Sequence, residues 1–152
     1  MKVKLEKINQ NNWITAIKLP ISEDHKEFLA PNLYSIAEAQ FYDGIDTYAI
    51  YNDTEMIGFS MFGAQNVDDN PDRDVDHRFW IWRLMIAEGH RFKGYGKAVI
   101  NEIVQIAKEK GFDELVLSTE PQNAKAIKFY KSLGFRATGV IEDEEEIYIL
   151  PL

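Results

Sequence analysis

The 152 residues are 45% apolar and 28% charged, with nine glycines and five prolines, an ordinary composition for one globular domain spanning residues 1–152. No cysteine is present, which excludes a disulfide framework, thiolate zinc sites and a thiol nucleophile; the three histidines, His25, His77 and His90, show no metal-ligand spacing, so no metal is expected. A formal net charge of −8 argues against a nucleic-acid partner, whose affinity comes mostly from neutralised phosphates, and fits either plain solubility or attraction of a cationic substrate.

In chain order, Val3, Leu5 and Ile8 predict a short first strand. Residues 1–6 alternate charged and apolar side chains, unlike a signal peptide, and no stretch approaches the roughly 20 apolar residues that span a bilayer. Cytoplasmic residence without a membrane partner is therefore expected. Asn11 and Asn12 start a helix carrying Trp13, Ile14 and Ile17, and residues 20–33 read as irregular around Pro20 and Pro31. Ser35 has the character of an N-cap, with Glu38 three residues later completing a capping box. Residues 47–51 and 56–62 pair as an antiparallel hairpin across a turn at 52–55, and Gly58 marks a bulge or a close backbone approach. Residues 66–76 read as an acidic loop. Residues 79–86 are apolar at nearly every position, as expected of a central strand covered on both faces. A glycine loop then opens a helix whose Val99, Ile103, Ile106 and Ala107 share one face, ended by Gly111. Residues 115–118 make a buried-type strand, and Pro121 stands near the start of a further helix with Ala126, Ile127, Tyr130 and Leu133, ended by Gly134. Residues 135–140 and 147–150 are the last strands, around an acidic turn at 142–146. The order β-α-α-β-β-β-α-β-α-β-β, with no repeat or linker, is that of a mixed α+β domain.

The loop Arg91-Phe92-Lys93-Gly94-Tyr95-Gly96, followed by Lys97, concentrates cations in an otherwise acidic chain, between a buried strand and an amphipathic helix. Two glycines let the backbone approach an anion, and first-turn N–H groups of the helix favour one there. Gly89 and Gly94 have the spacing of a Walker loop, but Tyr95-Gly96 replaces its Lys-Ser/Thr pair. A dinucleotide fingerprint could begin at Gly94 and Gly96, with Glu120 ending a strand downstream; Val99 then occupies the third glycine position, and the loop is too long for the tight turn required.

These residues resemble the GNAT family of N-acetyltransferases. Its coenzyme A signature, Arg/Gln-x-x-Gly-x-Gly/Ala after a central strand, is matched by Arg91, Gly94 and Gly96. Its second block, an Asn opening the next helix, a Tyr two turns on and then Leu-Gly-Phe, is matched by Asn123, Tyr130 and Leu133-Gly134-Phe135. The two blocks cover residues 79–135 in the family's order. The resemblance implies the GNAT fold, a mixed central sheet of six to seven strands with flanking helices, and acetyl-CoA as cosubstrate. It implies direct attack of a primary amine on the thioester, without an acyl-enzyme. Leu84, Met85 and Ile86 would offer backbone groups to the pantetheine arm, Arg91, Phe92, Lys93, Gly94, Tyr95, Gly96 and Lys97 would bind the pyrophosphate, and Asn123 would contact the coenzyme near the splayed strands. Tyr130 would protonate the leaving thiolate, its phenol competing with the alternative role of a core aromatic on the Ile127 face. Glu120 is the first candidate for the general base, with Asp76 and His77 next; no motif fixes that choice. Family members are often dimers, so a homodimer is one assembly open to this chain.

The N-terminal half should select the amine. Phe28-Leu29-Ala30-Pro31-Asn32 with Tyr34-Ser35-Ile36-Ala37-Glu38-Ala39, the Ile57-Gly58-Phe59 strand with an acidic loop after it, and Arg83 resemble features of bacterial diamine and spermine/spermidine acetyltransferases. A polycation wants carboxylates along a groove and aromatic faces for its methylenes and ammonium groups. Glu27, Glu38, Asp68, Asp69, Asp72, Asp74 and Asp76 could supply the first, and Phe28, Tyr34, Trp80 and Trp82 the second. Each acid taken singly also fits a solvated loop. Another small-molecule amine, an aminoglycoside, a protein N-terminus or lysine remain open as acceptors, as does a non-catalytic coenzyme A-binding sensor.

Overall fold

Seven strands, β1 (Lys4–Lys7), β2 (Ile45–Asn52), β3 (Glu55–Gly63), β4 (Arg78–Ile86), β5 (Glu114–Thr119), β6 (Arg136–Glu142) and β7 (Glu145–Pro151), share one sheet in the spatial order β1-β2-β3-β4-β5-β7-β6. The chain is seen in a computed structural model that describes residues 2–64 and 78–152. Its helices are α1 (Trp13–Ile17), α2 (Glu23–Lys26), α3 (Asn32–Ala39), α4 (Tyr95–Glu109) and α5 (Ala124–Ser132). Among the described residues no helix is long and apolar enough to cross a membrane. This is the mixed α+β architecture that the pattern of the chain predicts.

Tight turns set the hairpins. Between β6 and β7, Asp143 and Glu144 stand at φ 50° and 67°, two consecutive left-handed residues that match the twist of a two-residue turn. The predicted turn at 142–146 is thus only two residues wide, and its flanking glutamates belong to strands. Between β2 and β3, the register slips at Ile50/Tyr51 beside Gly58. A Cβ on Gly58 would sit 2.4 Å from the Met85 carbonyl oxygen, so both readings of this glycine hold: a bulge and a close approach.

The sheet separates two apolar clusters. One gathers Phe62, Phe79, Ile81, Leu115, Leu117, Phe135 and Tyr148 with Val99, Ile100 and Ile103 of α4, and Ile127 and Tyr130 of α5, with Leu133 just past its end, pack against it. The other joins Ala49, Phe59, Met61 and Met85 with Ala16 of α1, and Ile36 and Ala39 of α3 lie against it.

β4 crosses from one regime to another. Met61 pairs with Arg83 and Phe62 with Ile81, leaving Trp82 as the extra residue of a bulge. Before the bulge Phe79 and Ile81 face the first cluster; after it Leu84 and Ile86 do, while Met85 turns to the second. One inserted residue therefore inverts the alternation. The same point ends the parallel pairing with β5, whose last matched pair is Ile81 with Leu117. Beyond it β4 runs to Ile86 and β5 to Thr119 without a common ladder, and a cleft opens between them.

Three expectations need correction. β4 is not covered on both faces along its whole length: Trp80, Trp82, Arg83, Leu84 and Ile86 are only half-buried, because its C-terminal half borders the cleft. Ser35 does not cap a helix. It is fully buried inside α3, which starts earlier because the Asn32 amide donates to the Ala16 carbonyl (2.8 Å) and fixes the chain just after Pro31. Finally, α2 forms within the stretch read as irregular; four residues are too short for a periodic signal.

Candidate active site

Two clefts meet at the carboxyl ends of the splayed strands. The first, about 420 Å³, is lined by Trp80, Trp82, Arg83, Ser118, Glu120 and Asn123, among others. The second, about 260 Å³, is lined by Ile86, Arg91, Phe92, Gly94, Gly96, Lys97, Lys125 and Phe129. His25, Leu84, Ala126 and Tyr130 line both, so the clefts are two ends of one groove.

The second cleft is cationic and built on the start of α4. Gly94 is the N-cap at φ 91°, a left-handed position that a side chain would strain, and no side chain caps the helix. Gly96 lets α4 meet α5: a Cβ there would be 3.0 Å from the end of the Phe129 ring. The loop before α4 is tied to the β2–β3 turn, where the Asn52 amide donates to the Tyr95 hydroxyl (2.9 Å) and His90 Nε2 lies 3.2 Å from Glu55 Oε1. Arg91, whose side chain is only 14% exposed, is drawn inward by α2. It donates to the Ser22 hydroxyl and to Asp24 Oδ1 (2.9 Å), and Lys125 Nζ reaches Asp24 Oδ2 (3.0 Å). Hydrogen bonds from Lys125 and Ser22, then Arg91, hold the Asp24 carboxyl well below the usual carboxylate range.

At the junction stands Tyr130. Its ring packs on Phe129 (5.2 Å between centroids) and Phe135 (5.6 Å), and its hydroxyl makes no side-chain hydrogen bond among the described residues. Desolvation pushes its pKa up to about 12, so the phenol stays protonated. Helix α5 is held in register at both ends. Asn123 Oδ1 accepts from the Ala126 N–H (3.4 Å), and past Ser132 the Gly134 backbone, at φ 100°, lets the Phe135 N–H return to the Tyr130 carbonyl (3.1 Å). This gives the Leu-Gly-Phe block its physical reason. His25, which lines both clefts with Tyr130, is held below its usual pKa by burial and then by the Arg91 charge, and its buried Nδ1 has no hydrogen-bond partner among the described residues.

Among the described residues, the first cleft carries three carboxylates against one arginine. Arg83 donates to Glu38 Oε1 (3.2 Å) and to the Trp82 carbonyl, so these two charges offset one another. Glu145 accepts from the Ser118 hydroxyl (2.9 Å). The β5–β7 ladder ends with Thr119 paired to Glu146, and Glu120 and Glu145, the next residues beyond that pair, both line the cleft. Neither of these two has a cation partner among the described residues. Phe28, Trp80 and Trp82 supply aromatic wall.

Of the residues expected at the coenzyme, Leu84, Ile86, Arg91, Phe92, Gly94, Gly96, Lys97 and Asn123 line the groove. Met85 does not: its side chain is buried in the second cluster. Lys93 and Tyr95 belong to the loop but line neither cleft. Of the residues expected at the acceptor, Glu38 and Trp82 line the first cleft, as does Glu120, the expected base. Glu27 and Tyr34 do not; Tyr34 is 57% exposed on α3. Asp68, Asp69, Asp72, Asp74, Asp76 and His77 lie outside the described residues. Sequence reasoning missed Asp24 and His25, which sit in the unrecognised α2, and Glu145, whose approach depends on the β5–β7 register. Lys125 was within reach, as a cation in the first turn after Asn123.

The model of the Acetyltransferase (GNAT) family matches residues 12–135. The spermine/spermidine N(1)-acetyltransferase of Bacillus subtilis is 23% identical over 146 residues, covering 93% of both chains. Human N-acetyltransferase 8 is 34% identical over 88 residues, 58% of this chain and 37% of that protein. The crystal structure of the PaiA N-acetyltransferase from Thermoplasma acidophilum, solved in complex with coenzyme A, shares the fold with a TM-score of 0.70 at 20% identity, each chain covered completely.

Proposed function

The chain belongs to the GNAT family and is an N-acetyltransferase, and from that premise we propose that, as a single domain of residues 1–152, it transfers the acetyl group of acetyl-CoA directly to a primary amine of the polyamine or diamine class. One observation carries the reading: a cationic cleft and a cleft with uncompensated carboxylates meet at Tyr130.

The residues fit the coenzyme. Arg91, Lys97 and the free N–H groups at the start of α4 suit a pyrophosphate, and the β4 backbone beyond Ile81, released from β5, suits an extended arm added like a strand. Leu84, Met85 and Ile86 act there through their main chain, which is compatible with Met85 burying its side chain elsewhere. The relative in Thermoplasma acidophilum, whose structure holds coenzyme A, supports the same ligand here.

The amine nitrogen attacks the carbonyl carbon, a C–N bond forms and the C–S bond breaks. Before the attack one ammonium proton goes to Glu120; the departing thiolate takes the phenolic proton of Tyr130, and the second nitrogen proton, shed as the amide forms, returns through solvent to the phenolate. His25, kept neutral beside them, places no positive charge against the incoming ammonium. Glu120 and Glu145 attract the cationic acceptor, with Trp80, Trp82 and Phe28 against its methylenes. Glu38 acts through Arg83 and adds less, while Glu27 and Tyr34 stand too far out to contribute. The spermine/spermidine specificity named for the Bacillus subtilis relative points the same way.

Thiol release from acetyl-CoA, measured with spermine, spermidine, putrescine, aminoglycosides and a lysine peptide, tests this. Polyamines should turn over fastest. Inert polyamines beside an active alternative amine would overturn the acceptor class, and coenzyme binding with no turnover of any amine would favour a sensor.

A further inference from the structure

Asp24 lies where an anion belongs. Its two carboxylate oxygens are divided between Arg91 Nη1 (2.9 Å) and Lys125 Nζ (3.0 Å), and both cations line the second cleft alongside Gly94, Gly96 and Lys97. Arg91 is the first residue of the glycine loop, Lys125 stands in the first turn of α5, and the carboxylate comes from α2, so three elements converge on one charge. Ser22, on the same short segment, completes the hold on the guanidinium. A carboxylate bridging two such donors mimics one face of a phosphate group. Charge then sets the sign of its effect: a dianionic pyrophosphate seated on the same loop meets the Asp24 charge as repulsion and finds two of its cations already neutralised.

We propose that Asp24 is an internal competitor for the coenzyme's pyrophosphate, so that coenzyme binding exchanges the α2 carboxylate for phosphate oxygens on Arg91 and Lys125. The inference rests on the coenzyme A reading of the second cleft but makes a separate claim about affinity. Asp24 weakens coenzyme binding, where a residue that merely orients Arg91 would strengthen it.

Calorimetric titration at low ionic strength separates the two. Asp24→Asn keeps the size of the side chain and an oxygen acceptor for Arg91 while removing the charge. It should bind coenzyme A, and inorganic pyrophosphate, about two- to fivefold more tightly than the wild type, with the gap closing at high salt. Asp24→Glu should stay near the wild type. Unchanged or weaker affinity in Asp24→Asn overturns the proposal. If coenzyme A binds neither protein, the coenzyme reading fails, and the pyrophosphate titration still decides whether Asp24 competes.

Discussion

Changing Tyr130 to Phe removes one oxygen and leaves the ring contacts with Phe129 and Phe135 in place. The hydroxyl makes no side-chain hydrogen bond among the described residues, and desolvation already raises its pKa to about 12. Deleting it thus breaks no hydrogen bond among the described residues, and the melting temperature should move by no more than about 2 °C, or rise slightly. The chemistry should suffer far more. A positioned general acid contributes on the order of 10²- to 10⁴-fold, so kcat should fall at least about 100-fold, roughly 2.7 kcal/mol of transition-state stabilisation. The assay is thiol release at saturating acetyl-CoA and amine, with coenzyme affinity measured separately by calorimetry. Coenzyme affinity should change by less than about twofold, because a phenol that supplies a proton only as the thiolate leaves adds little to ground-state binding. A phenol held near pKa 12 remains protonated through neutral and mildly alkaline pH, so Tyr130 should cause no alkaline loss of rate in that range. A kcat unchanged within a factor of about two would refute the assignment. So would a loss of rate that tracks a large drop in melting temperature, which would make Tyr130 a core aromatic and nothing more.

Three further outcomes follow from the geometry. Gly58→Ala would push a Cβ to 2.4 Å from the Met85 carbonyl oxygen, and backbone cannot yield as a side-chain tip can; thermal unfolding should show a loss of about 1–3 kcal/mol, and an unchanged melting temperature would contradict the close approach. Glu38→Gln leaves Arg83 uncompensated in the first cleft, so KM for a cationic amine should rise about three- to tenfold with kcat nearly constant; an unchanged KM would separate this ion pair from acceptor binding. His25 binds its proton less readily in the folded chain than its usual pKa of 6.5 implies, because burial and then Arg91 oppose its charge while Asp24 favours it and Lys125 opposes it. The unfolded chain therefore takes up a proton that the native state refuses, and stability present above pH 6.5 is lost as pH falls below it. Melting temperature measured between pH 7.5 and 5.5 should fall more for wild type than for His25→Gln; equal falls would show that His25 is not the group responsible.

The cationic end of the groove, proposed for the coenzyme, was legible because its chemistry is local in sequence. Arg91, Gly94 and Gly96 need only the helix start that follows them, and Asn123, Tyr130 and Gly134 are spaced by one helix and its C-terminal turn. The acidic end, proposed for the amine, was not, because it is assembled by register and by bulges. Glu145 joins Glu120 in lining the cleft because β7 runs antiparallel to β5, and the parity of β4 inverts at Trp82, a residue whose type gives no sign of a bulge. Ser35 and Glu38 have the spacing of a capping box, yet tertiary bonds from Asn32 start α3 earlier and turn Glu38 toward Arg83 instead. Asp24 and His25 lie in a four-residue helix that no periodicity could announce, although they touch the most cationic part of the groove.

The central claim is that the loop from Arg91 to Lys97 seats the coenzyme's pyrophosphate against the start of α4. Calorimetric titration of coenzyme A into wild type and Gly96→Leu tests it most directly, since the new side chain would crowd the Phe129 ring from 3.0 Å at its first carbon and project into the second cleft. A loss of affinity of about tenfold or more, with cooperative unfolding retained, is the predicted result. Equal coenzyme affinity in the two proteins would contradict the claim.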